Sequence, residues 1–99
     1  MTLFDFVAMI GQRIIIRRRM AMGDFSARFA DNVRFAKGFH DLSSMDSPIC
    51  CAETKEQAVS DLALQISGKV LVVDEERHVK ARHLYQVPLL EGGSRCWLK

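Results

Sequence analysis

Four arginines fall within seven residues in the run RIIIRRRM, at Arg13, Arg17, Arg18 and Arg19. The β-branched isoleucines between them favour an extended chain. In such a chain successive side chains point to opposite faces, so Arg13, Ile15, Arg17 and Arg19 share one face. Ile14, Ile16, Arg18 and Met20 take the other. Arg17 and Arg19 then stand about 7 Å apart, a spacing at which two guanidiniums grip neighbouring phosphates. Arginine suits that task because its planar fork stays charged and bonds bidentately. The same pattern equally describes a solvated strand face, or charge that keeps a sheet edge from pairing.

A second basic pair lies near the end of the chain, where VKARHLYQV reads as a strand. Lys80 and Arg82 fall on one face with Gln86, while Val79, Ala81, His83, Tyr85 and Val87 look inward. If this strand borders the first, Lys80 and Arg82 extend the same anion site; otherwise they mark an exposed edge. His78, His83, Cys50 and Cys51 have no standard zinc spacing, so no metal site is expected. His83 is expected to be half-buried and the cysteines to serve as small core side chains. No nucleophile elbow, phosphate-cradling glycine loop or metalloprotease helix is present. Glu53, Glu56 and Asp61 lie on or near a helix, where acidic residues in the first turn favour the dipole. Catalysis is not expected, and neither is a cofactor.

These residues must be positioned by a small frame. Ninety-nine residues make one domain, 1–99, with room for a single modest core. A formal net charge of +2 gives no global field for bulk nucleic-acid binding, so any basic function is local. Three cysteines, two of them adjacent, make a poor disulfide framework and point to a reducing compartment. The apolar start MTLFDFVAMIG is broken by Asp5 and precedes the basic run, the wrong layout for a signal peptide. No stretch is long enough to span a bilayer. A cytoplasmic protein is expected.

Thr2 and Asp5 predict a capped helix start, with Leu3, Val7 and Ile10 on one stripe, Phe4 and Ala8 beside it, and Gly11 as its stop. A strand follows, then a turn at Gly23-Asp24. DFSARFA alternates again, with Phe25, Ala27 and Phe29 opposite Ser26 and Arg28. VRFAKGF reads as a third strand ending near Gly38, and residues 49–52 as a short fourth. Thr54 and Gln57 predict a capping box, and Ala58, Val59, Leu62, Ala63 and Ile66 lie at helical spacing before Gly68. KVLVVD is a buried strand, EERH a turn, and the last strand ends at Pro88. The tail LLEGGSRCWLK is expected to be frayed or used for contacts. The expected fold is α+β: an antiparallel sheet of about five strands packed on one amphipathic helix, with a short N-terminal helix.

Residues 53–74, with Thr54, Glu56, Ala58, Val59, Asp61, the ISGK of 66–69 and Leu71-Val72, resemble a group of small proteins encoded by phages and prophages. Val87-Pro88 and the upstream FSARFADNVRFAKGF extend the likeness to roughly two thirds of the chain at a loose pattern level. The group is the Thoeris anti-defence sponge family of the first kind. Lys55 stands where that group often has proline, and the final hairpin is longer here. The resemblance implies a protein that binds cyclic ADP-ribose isomers made by TIR-domain defence enzymes and holds them without cleavage. Some members also take up cyclic oligonucleotide signals. It further implies homo-oligomers with pockets built from paired subunits, in the cytoplasm of a bacterial host. Carried over, it points to Arg17 or Arg19, to Arg82 or Lys80, and to Asp61. Phe25, Phe29, Phe35 and Phe39 offer flat surface for an adenine, although core burial is the ordinary role of the first three. No membrane partner is expected, and nucleic acid is not the favoured ligand. The competing readings are an antitoxin-like module paired with a toxin, a nucleic-acid binder using the arginine face, and an enzyme acting on nucleotides.

Overall fold

The computed structural model describes residues 1–30, 33–36, 47–75 and 81–92, with the backbone alone described at 74–75 and 81–82. Helix α1, Leu3–Met9, opens on the expected reciprocal cap. The Asp5 amide donates to Thr2 Oγ1 at 3.2 Å, and the Thr2 amide donates to Asp5 Oδ2 at 3.2 Å. The helix ends at Ile10, and Gly11 follows at a φ of +71°, a conformation that L side chains rarely adopt. Its buried residues are Leu3, Phe6 and Val7, whereas Phe4 and Ile10 are half-buried and Ala8 is exposed. The i, i+3, i+4 stripe therefore runs through Phe6, a residue the sequence reading left out.

Strands β1, Ile14–Arg19, and β2, Asp24–Phe29, form an antiparallel hairpin in which Arg19 faces Asp24. The turn closes through the Gly23 amide, which donates to the Arg19 carbonyl at 2.8 Å. Strand β3, Val33–Phe35, comes next, then β4, Ile49–Ala52. Helix α2, Lys55–Ile66, precedes β5, Val70–Glu75, and β6, Ala81–Gln86. Among the described residues, six strands divide into two three-stranded antiparallel sheets, ordered β1-β2-β4 and β3-β5-β6. The single sheet of about five strands is thereby corrected. The reason is competition for edges: β1 and β4 occupy both sides of β2, so β3 takes β5 as its partner.

One core serves both sheets. Ala27 and Phe29 from the first, Val33, Leu71 and Val73 from the second, and Ala58, Val59, Leu62, Ala63 and Ile66 of α2 form a single buried cluster with α1. Each large aliphatic side chain buried this way stabilises the fold by about 1.5–3 kcal/mol relative to exposure. Thr54 caps α2 by accepting the Gln57 amide at 3.1 Å. The Gln57 side chain turns forward instead of back, its Nε2 donating to Asp61 Oδ1 at 2.7 Å. Gly68, at a φ of +72°, lets the chain leave the helix and enter β5.

The segment after β6 is docked, so residues 89–92 of the expected tail are not frayed but make contacts within the chain. The Val87 amide donates to the Lys69 carbonyl at 2.9 Å, and the Gly68 amide to the Val87 carbonyl at 3.1 Å. Val87 and Leu90 enter the core. The Leu90 amide donates to Ser67 Oγ at 2.9 Å, and Ser67 in turn donates to the Ala63 carbonyl at 2.7 Å. The Glu91 amide reaches the Met1 carbonyl at 3.1 Å. Residues 93–99, the EERH turn beyond Glu75, and the end of the expected third strand near Gly38 lie outside the described residues.

Candidate anion-binding face

Alternation and register fix which side chains meet on each face of the first sheet. The core face carries Ile14 and Ile16 of β1, Phe25, Ala27 and Phe29 of β2, and Cys50 and Ala52 of β4. The outward face follows by elimination. Arg17 lies opposite Ser26, which lies opposite Cys51; Ile15 lies opposite Arg28, which lies opposite Ile49. Arg19 faces Asp24 at one end of the hairpin, and the Arg13 carbonyl accepts the Ala30 amide at the other. Arg13, Arg17, Arg28 and Cys51 are exposed, while Ser26 is only 7% exposed.

The charges on this face are not equivalent. Arg19 makes a two-point pair with Asp24, Nε to Oδ1 and Nη2 to Oδ2, both at 2.6 Å. The hydrogen bonds from Arg19 hold the Asp24 carboxyl below its usual range, and the same bonds push the Arg19 guanidinium up. Arg19 is therefore engaged within the chain. Arg13, Arg17 and Arg28 have no ion-pair partner among the described residues. Arg28 and Arg17 occupy diagonal positions on neighbouring strands, a separation of about 7–8 Å that lets both reach one anion. Arg28 was not singled out as a ligand residue from sequence. Its alternation with Phe29 was the available signal, but only the pairing register places it beside Arg17.

The other expected site residues do not join this face within one chain. Asp61 is half-buried on α2, which packs on the core side of the first sheet. There it accepts from Gln57 and lies near Cys50, whose thiol is pushed up by burial first and by Asp61 and Cys51 after it. Strand β6 pairs with β5 and belongs to the second sheet, so the last strand does not border the first, and of the two alternatives the sheet edge is the one found among the described residues. The Arg82 backbone lies opposite Asp74, and Lys80 lies outside the described residues. Phe25, Phe29 and Phe35 take their ordinary core role and give this face no aromatic surface. Phe29 is buried, Phe25 and Phe35 pack against the core, and Phe39 lies outside the described residues. His83, expected to be half-buried, is exposed because β6 is an edge strand; its ring stands 6.3 Å from that of Tyr85. Cys51, expected in the core, is exposed on the outward face for the same alternation that turns Cys50 inward.

Among the described residues no three His, Cys, Asp or Glu side chains gather to hold a metal ion, and no helix is long and apolar enough to cross a membrane. No family model matches the chain, and neither does any curated protein or solved structure.

Proposed function

We propose that the protein is a non-catalytic binding protein that sequesters a small cyclic nucleotide bearing a diphosphate, with cyclic ADP-ribose isomers as the first candidates and cyclic oligonucleotides as the second. The observation that supports this reading is the outward face of the first sheet, where Arg13, Arg17 and Arg28 lack ion-pair partners among the described residues. Guanidiniums fixed on a strand meet phosphate oxygens with little loss of side-chain freedom per bond formed. Holding a signal intact asks for ground-state binding and no activated nucleophile. Ile15 and Ile49 flank Arg28 on the same face and give a sugar or base apolar surface beside the charges.

Assembly of copies belongs to the same proposal. Within one chain Asp61 and Arg17 lie on opposite sides of the first sheet. A paired-subunit pocket of the kind the family resemblance implies would bring Asp61, Lys80 or Arg82 from a second copy. Helix α1 is docked in the core, so exposed Leu64 and Leu89 are the apolar contacts offered to a second copy. Static light scattering at micromolar concentration should give a dimer mass or a multiple of it; a monomer mass removes the assembly.

Mixing the purified chain with a cyclic ADP-ribose isomer, removing free ligand and heating tests the storage function. Recovery of intact ligand by mass spectrometry is expected. Hydrolysed ligand would replace storage with catalysis, and no retained ligand would remove the proposal.

A further inference from the structure

Ser26 sits at the centre of the arginine face, yet it is nearly buried. It lies on the middle strand of the first sheet, between Arg17 on β1 and Cys51 on β4. The residue is 7% exposed, and its hydroxyl makes no hydrogen bond with any described residue. Among the described residues, the sealed side-chain oxygen without a partner is Oε1 of Gln12, so the Ser26 hydroxyl keeps an opening toward solvent. It is a donor open to a ligand, with Arg17 directly opposite and Arg28 two residues along the strand.

We infer that Ser26, Arg17 and Arg28 form the seat for a single phosphoryl group of the bound molecule, an inference that rests on the binding function proposed above. The hydroxyl donates to one phosphoryl oxygen, while Arg17, directly opposite, and Arg28, two residues along the same strand face, take the others. Electrostatics fixes which end of the face the anion takes. Asp24 lies two residues from Ser26 in the opposite direction, and Glu53 follows β4 at that same end. Asp24 is neutralised by Arg19, and the pair closes that end without offering net positive charge. The anion is therefore drawn toward Arg28 and Arg13. A tetrahedral group spreads its oxygens in three dimensions and so suits donors arriving from two strands, whereas a carboxylate presents its acceptors in one plane.

Titration of the full chain with inorganic pyrophosphate, followed by amide and arginine side-chain nitrogen NMR, reads the seat directly. The largest shifts are expected at Ser26, Arg28 and Arg17, with Lys69 unmoved. Ser26→Ala should weaken pyrophosphate about fivefold and Arg28→Gln about 10- to 100-fold. Lys69→Gln should bind as the parent does. A parallel titration with a single-stranded oligonucleotide separates a free phosphoryl ligand from a nucleic-acid backbone. A log-affinity slope of about −1 to −2 against log salt supports the small ligand, and a much steeper slope for a tighter oligonucleotide complex overturns it. If pyrophosphate and cyclic nucleotide bind but the shifts map elsewhere, the seat falls and the binding function stands. If neither binds, both fall.

Discussion

Replacing Leu90 by alanine tests the docking of the C-terminal segment. Leu90 is 6% exposed and belongs to the core cluster, and its amide is held by Ser67 Oγ at 2.9 Å. Truncating a buried leucine costs about 2–5 kcal/mol, and a site at the margin of the core can partly collapse, so about 2.5 kcal/mol is expected. With a urea m-value of about 1.5 kcal/mol/M for a domain of this size, the unfolding midpoint should fall by about 1.7 M. Ser67→Ala alone should cost about 1–2 kcal/mol, because it leaves the Leu90 amide without its acceptor in a largely buried setting. The two losses should be less than additive, since both release the same segment. Urea unfolding followed by circular dichroism gives the midpoints, and hydrogen exchange of the Leu90 and Glu91 amides reports the local docking. A Leu90→Ala midpoint within about 0.3 M of the parent, with both amides exchanging as in a free peptide, would refute the reasoning.

Three further outcomes follow from the arginine face, the cysteines and helix α1. The Asp24 carboxyl, held below its usual range by Arg19, should titrate below the ordinary aspartate range by carbon NMR and move up in Arg19→Gln; an unchanged value in that variant contradicts the pair. Because the folded-state value is depressed, whatever stability the pair adds is present at neutral pH and is lost as pH falls through the depressed value, so Arg19→Gln should flatten the acid limb of a stability–pH curve. Iodoacetamide at pH 7.5 should modify exposed Cys51 before half-buried Cys50, whose thiol is pushed up by burial and by Asp61; peptide mapping that finds Cys50 first would overturn the assignment of faces. Phe6→Ala should destabilise the domain by about 3–5 kcal/mol, whereas Ala8→Ser should change it by less than about 0.5, and equal effects in thermal melts would reject the stripe assigned to α1.

What was legible in the sequence was local, and what was not depended on long-range pairing. The Thr2–Asp5 cap, the buried stripe of α2, the left-handed Gly68 and the two faces of β1 all rest on interactions within a few residues, and each matches the structure. The division into two sheets was hidden, because VRF carries no mark that tells β2 from β5 as its partner. The same blindness concealed Arg28 as a neighbour of Arg17 and suggested a shared edge for the first and last strands. Leu90 gave no periodic signal, because it lies in an irregular segment held by hydrogen bonds to residues distant in sequence. Asp61 fell on the expected helix, but a helix packs on one side of a sheet and the arginines point to the other.

Isothermal titration of the parent chain and of the Arg17→Ala/Arg28→Ala variant with a cyclic ADP-ribose isomer bears most directly on the binding function. The account predicts saturable binding by the parent, a loss of at least about 100-fold in the variant, and an unchanged urea midpoint for the variant. Equal affinity in the two proteins, or no heat of binding to the parent, would contradict it.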